Sequence, residues 1–368
     1  MFLARGLLAL GHDVHCYCNP ETSNVELPGA TFHHVRTPVF SGSRLGLPLA
    51  RGSFALAATR ALRRDRAAYD IIDVCGTSAW EHDVITVHGV TNALLDEWWD
   101  QVGDGRRLGG LRRRLAPLLR PEVALGRIVE KLQFRPGRFK RIIAPTEQVK
   151  HHVVAAYGVP LEVIDVIPCP VDVVALEQAV RDHLREELGI APGATLLLFV
   201  GSDFERKGLG ETIAALQGLE SSAHLVVVGQ SAEEDHFRAA AAKAGVADRV
   251  HFVGGTETPE RYYANADLLV LPTKQDPWGI PLIEAMAARI PVVTTRFAGA
   301  ATAVSDGQAG VVLSEPSVRD LREALAALIR DPALRKEMGE RGAQVAGGYS
   351  IEAQATAAIA TYELAFHL

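Results

Sequence analysis

Apolar residues recur along the chain with two alternating periods, short unbroken runs and longer stretches with helical spacing. In the first half the helical spacing predicts helices over 2–10, 47–66 and 147–157. Runs rich in β-branched residues predict strands over 13–18, 31–37, 71–75, 83–88, 141–146 and 164–168. Runs of this kind suit parallel strands buried on both faces. Pro168-Cys169-Pro170, a charged helix and Ala191-Pro192-Gly193-Ala194 then read as a connection. A second series follows, with strands over 195–200, 224–228, 250–253, 268–272 and 291–295, and helices over 317–345 and 351–367. Alternating strand and helix implies parallel sheets, so the expectation is α/β, two doubly wound Rossmann-like domains facing across a cleft. Their bounds are expected at 1–170 and 171–350, with 351–368 a helix crossing back to the first. Ligands are expected at the carboxyl ends of the strands.

Length and composition agree with this picture. A chain of 368 residues is too long for one ordinary core, and 48% hydrophobic with 22% charged residues is a globular balance. No apolar run reaches the roughly 18 to 20 residues that span a bilayer. The start, MFLARGLLALGHDVHCYC, reads as an amphipathic helix entering a strand rather than a signal peptide. The four cysteines, Cys16, Cys18, Cys75 and Cys169, lack zinc-site spacing and suit a reducing cytoplasm. A net charge of −6 disfavours general nucleic-acid binding.

Local charge is another matter. Residues 91–140 carry eleven Arg and Lys against six Asp and Glu, interleaved with leucines and with Trp98 and Trp99. Such a basic amphipathic stretch can lie on an anionic membrane or bind an anionic acceptor, which would place a cytoplasmic protein peripherally at the inner face of the membrane. A solvated helical face with its apolar side turned inward is the plainer alternative.

Two segments can carry chemistry. The strand at 195–200 ends in Gly201-Ser202-Asp203-Phe204-Glu205-Arg206-Lys207-Gly208, where adjacent cations beside glycines suit a diphosphate. The strand at 268–272 leads into Thr273-Lys274-Gln275-Asp276-Pro277-Trp278-Gly279-Ile280-Pro281-Leu282-Ile283-Glu284. Pro281 suits a first helical turn, so the amides of Leu282 and Ile283 are expected to point out of the helix start, where anions bind. Asp276 in the loop and Glu284 in the expected first turn can then accept hydrogen bonds from sugar or ribose hydroxyls.

At these residues the chain resembles glycosyltransferase family 4, whose signature is an acidic pair separated by seven positions, the second in a helix reading E-A-M-A. The resemblance extends through ARGLLALGHDV, ITVHG, VIPCPVD, GSDFERKG and FAGAATAVSDGQAG, and is closest to the branch containing lipopolysaccharide core glucosyltransferase I. It implies a GT-B fold and a retaining transfer of a hexose from a nucleotide diphosphate sugar, UDP- or GDP-linked, to a glycan, lipid-linked or small-molecule acceptor. It assigns the ribose hydroxyls to Glu284, the transferred sugar to Asp276, and the leaving diphosphate to Arg206 and Lys207. His88 matches the histidine near donor sugar and acceptor, although a histidine at a strand end can be purely structural. Gly201, Gly254, Gly255, Thr256, Gly279, Ile280, Leu282 and Ile283 match donor-binding backbone positions. No D-x-D triplet occurs, so no metal and no separate cofactor are expected.

The departures matter too. Asp276 stands where Glu is usual, Ser202 where many members have Arg, and Pro170 where a glycine is common. Family members begin with a strand and a glycine-rich loop before the helix matching 2–10. The resemblance therefore implies a missing central strand, between those at 13–18 and 71–75. The alternatives are a catalytically silent nucleotide-sugar-binding relative, a GT-B sugar-nucleotide epimerase and a two-lobed small-molecule binding protein.

Overall fold

The computed structural model describes residues 1–21, 26–38, 46–90, 130–135 and 137–368. The basic stretch read at 91–140 lies outside the described residues except for its last part. Two units are resolved, one comprising Met1–Pro168 with Ile351–Leu368, the other Cys169–Ser350.

In the first unit a helix, Phe2–Ala9, leads into strand β1 (His15–Cys18), which pairs in parallel with β2 (Thr31–His34). A long helix, Gly46–Asp65, returns to a second parallel ladder, β3 (Asp73–Cys75), β4 (Val84–Thr86), β5 (Arg141–Ala144) and β6 (Ile164–Val166), in that spatial order. Among the described residues β1 does not pair with β3, and the two ladders are separate sheets.

Local sequence accounts for the helix between β5 and β6. Thr146 caps it by accepting from the Val149 amide at 3.1 Å, and Gly158 ends it in the left-handed region at φ 67°. A Thr cap of this kind is worth about 1 kcal/mol. Val149 and Val153 are the residues this helix buries, against Ile85, Ile142 and Ile164 of the sheet. On the other side, helix Ile351–Phe366 lays Ala358 and Ala365 against Val84, Ile143 and Ile167. It meets helix Phe2–Ala9 at Gly6, where a Cβ would stand 2.6 Å from that of Ala355. A glycine–alanine crossing is what lets two backbones approach this closely.

The second unit holds one six-stranded parallel sheet. Its strands are β7 (Thr195–Val200), β8 (Ala223–Val228), β9 (Val250–Gly254), β10 (Leu268–Leu271), β11 (Val292–Thr295) and β12 (Gly310–Leu313). The spatial order is β12-β11-β10-β7-β8-β9, which reverses between β7 and β10. That reversal is a topological switch point, where ligands of doubly wound sheets bind. Leu196, Leu197, Leu198, Phe199, Leu268, Leu269, Val270 and Leu271 are fully buried, as two central strands covered on both faces require.

Two features differ from the sequence reading. β12 was not expected, because Gly310–Leu313 is a short run whose residues are all half-buried. The stretch 317–345 is two helices, Val318–Arg330 and Pro332–Ala346, broken where Asp331 ends the first and caps the second by accepting from the Leu334 amide at 2.9 Å.

Candidate active site

At the switch point the segments after β7 and β10 are tied together. Asp203 caps a single turn, Phe204–Lys207, by accepting from the Arg206 amide. Gly208 then turns the chain at φ 82°, with Pro272 packed so closely that a Cβ would lie 2.3 Å from its carbonyl oxygen. The Lys274 amide donates to the Arg206 carbonyl at 2.8 Å, and the Thr273 hydroxyl lies 2.9 Å from the Gln275 carbonyl. This lattice presents the two cations differently. Arg206 lies along the surface, its Nε 2.8 Å from Asp203 Oδ2, while its Nη1 donates to the Gln275 carbonyl. Lys207 turns inward over Gly201 and forms an ion pair with Asp276, both residues being 8% exposed.

Asp276 is fixed as firmly from its other side. Its amide donates to the Phe297 carbonyl at 3.0 Å and its carbonyl accepts from Gly299 at 2.9 Å, while Ala300 donates to Trp278 at 2.7 Å. The loop after β11 is thus zipped to the loop after β10. Asp276 Oδ1 also accepts from the Trp278 amide at 3.3 Å, so one carboxylate oxygen serves the loop and the other Lys207.

Gly279, at φ 95°, starts the helix Ile280–Ala287. The sequence reading needs two corrections here. The first turn contains no acidic residue, because the helix begins at Ile280 and Glu284 falls just beyond that turn. The Leu282 amide is not directed outward, since it donates to the Gly279 carbonyl at 3.0 Å. Glu284 instead accepts from the hydroxyl of fully buried Tyr263 at 2.7 Å. Burial pushes the Glu284 carboxyl above its usual range, opposed by that hydrogen bond. Burial and the neighbouring carboxylate likewise hold the Tyr263 phenol well above its ordinary value. Sequence reasoning missed Tyr263, and a tyrosine 21 positions away offers no local signal for such a contact.

Gly254 ends β9 at φ 75°, and its carbonyl accepts from Gly229 at 2.8 Å. Gly229 in turn lies against Gly201, so the ends of β7, β8 and β9 converge on glycines. Gly255 follows, and the Thr256 hydroxyl accepts from the Thr258 amide at 3.1 Å in the next turn. His88 belongs to the first unit, two residues beyond the end of β4, with Nε2 3.1 Å from the Cys75 sulfur. The surrounding protein desolvates its imidazole and lowers its pKa. The second unit thus brings together Gly201, Arg206, Lys207, Asp276 and Gly279, with Glu284 on the helix that follows.

Comparison with known proteins gives this arrangement a context. Residues 1–175 match the family described as Glycosyltransferase Family 4, and residues 180–345 that described as Glycosyl transferases group 1. The chain is 27% identical over 355 residues to the D-inositol 3-phosphate glycosyltransferase of Segniliparus rotundus, covering 92% of this chain and 76% of that one. It is 41% identical over 165 residues to the lipopolysaccharide glucosyltransferase WaaG of Escherichia coli, covering 44% of each. A crystal structure of WaaG, a glycosyltransferase involved in lipopolysaccharide biosynthesis, superposes with a TM-score of 0.76 at 26% identity, covering 97% of this chain and 93% of that one. From its ordered motifs, its two successive family matches and its structural likeness, the chain belongs to the family 4 glycosyltransferases and has the GT-B fold.

Proposed function

We propose that this glycosyltransferase is a retaining, metal-independent hexosyltransferase using a nucleoside diphosphate sugar, UDP- or GDP-linked. The observation that carries the reading is the buried Lys207–Asp276 pair at the switch point, beside the helix start at Gly279. An ammonium held there by a carboxylate is already oriented, with little left to reorganise when a diphosphate enters. Lys207 and Arg206 offset the charge that develops as the bond from the anomeric carbon to the diphosphate oxygen breaks. The acceptor oxygen bonds to that carbon on the same face, and its proton passes to the departing phosphate oxygen. Asp276, relieved of Lys207, accepts from hydroxyls of the sugar, and Glu284 from those of the ribose.

Donor binding is expected to be visible in thermal unfolding. A nucleotide sugar at 100 times its dissociation constant adds about 2.7 kcal/mol, so a panel of UDP-, GDP- and ADP-sugars is expected to yield at least one clear stabiliser. No stabilisation across the panel would refute the donor assignment. A second reading, a silent nucleotide-sugar binder, is favoured by the full engagement of Lys207 with an aspartate where glutamate is usual. Hydrolysis of the stabilising donor separates the two, because a silent binder leaves it intact.

The acceptor is a glycan, a lipid-linked sugar or a small molecule such as an inositol phosphate, and the protein works at an anionic membrane surface through residues 91–140. No described helix is long and apolar enough to cross a membrane. Surface attraction is worth about 1 kcal/mol per well-placed Arg or Lys and is screened by salt. Co-sedimentation with anionic vesicles is expected at low salt and lost at high salt. Equal binding to neutral vesicles, or none, would count against it.

A further inference from the structure

A third cation stands behind the two at the switch point. Lys274 lies two residues before Asp276 in the loop after β10, with its side chain 11% exposed. Its Nζ donates to Glu205 Oε1 at 2.5 Å and to Glu211 Oε1 at 3.0 Å. Glu205 belongs to the single turn Phe204–Lys207, and Glu211 to the first turn of the helix after it, Leu209–Leu216. One ammonium therefore ties the turn that carries Arg206 and Lys207, and the helix behind that turn, to the loop that carries Asp276. The Lys274 amide grips the same turn, donating to the Arg206 carbonyl at 2.8 Å.

Burial by itself would favour the neutral amine. The carboxylates of Glu205 and Glu211 outweigh it, and the Lys274 pKa lies above its ordinary value. Lys274 is thus a charged clamp. A turn of four residues has little hydrogen bonding of its own to keep its shape, so the position of Lys207 depends on what holds the turn from outside.

We propose that Lys274 is a positioning residue for the diphosphate of the donor: by holding Glu205 and Glu211 it fixes the turn in which Lys207 and Arg206 meet the phosphates. It acts through those cations and not on the donor itself. This rests on the reading of Lys207 and Arg206 as the diphosphate cations.

Titration calorimetry of the full chain with UDP, GDP and their monophosphates, alongside Lys207→Ala, tests the clamp. The monophosphates lack the terminal phosphate that parts from the sugar, and so report whether the rest of the site is intact. Lys274→Met is expected to weaken diphosphate binding roughly 10-fold, the order of one charge-assisted hydrogen bond lost, with the monophosphates changed by less than about 2-fold. Glu205→Gln is the second variant. It removes a carboxylate two residues from Lys207, so charge alone predicts tighter diphosphate binding, whereas a loosened clamp predicts binding roughly 3-fold weaker. In a Lys207→Ala background Lys274→Met is expected to cost at most about 2-fold more, because its effect passes through the side chain already lost. Unchanged diphosphate binding in Lys274→Met, equal losses for mono- and diphosphates, tighter binding in Glu205→Gln, or full additivity with Lys207→Ala would overturn the proposal. A wild type that binds neither diphosphate, or a Lys207→Ala protein that binds them normally, would instead remove the diphosphate reading, and this proposal with it.

Discussion

Lys207→Ala is expected to slow donor turnover by roughly 30- to 1000-fold, the equivalent of about 2 to 4 kcal/mol of lost transition-state stabilisation. The substitution also leaves the Asp276 carboxylate buried without its cation. Breaking a buried pair from one side costs about 3 to 5 kcal/mol, so the variant is also expected to unfold at lower temperature. The double variant Lys207→Met with Asp276→Asn separates these effects, recovering stability while turnover stays low. Glu284→Ala is expected to impair donor use if the proposed role of Glu284 at the ribose holds. Wild-type turnover in both Lys207→Ala and Glu284→Ala would remove the site from this loop pair.

The second large effect is structural. Gly229 sits at φ 141°, and an added Cβ would stand 1.9 Å from the Gly201 carbonyl oxygen. That atom is backbone at the end of β7, so it cannot swing aside. Gly229→Ala is expected to cost about 3 kcal/mol or more, combining overpacking with a conformation that L-residues avoid. For a unit of this size that lowers the melting temperature by roughly 6 to 12 °C. Gly245→Ala is the comparison, since that glycine has φ 70° but nothing within 4 Å of the added Cβ. Only the backbone term remains there, about 1 to 2 kcal/mol. Equal losses in the two variants, measured by calorimetry, would show that the close approach of β7 and β8 carries no weight.

What could be read from sequence follows from the range of the interactions. β7, β8 and β10 announce themselves as apolar runs because burial on both faces demands them, and helix Glu147–Tyr157 carries both its cap and its terminator. The acidic pair and the two cations were legible as a motif, and the structure joins Lys207 to Asp276 across 69 positions. That pairing depends on strand order, since it needs β7 beside β10. Glu284 was placed one turn too early because the left-handed turn at Gly279 decides where the helix begins. Tyr263 on Glu284 and Cys75 on His88 depend on packing and register, which no local pattern encodes.

The way the chain leaves and re-enters the first unit bears on how it is made. Val171 bridges Ser350, and the Val171 amide donates to the Tyr349 carbonyl at 2.9 Å, so the two crossings lie side by side. The second unit is thus an insertion whose ends meet, closed before helix Ile351–Phe366 exists. During synthesis its sheet can complete as soon as residue 350 has emerged, because domains fold as units. The earlier-made unit cannot do the same: Val84, Ile143 and Ile167 lack their cover until Ala358 and Ala365 arrive. The half translated first is the half whose core is completed last, by Ala358 and Ala365.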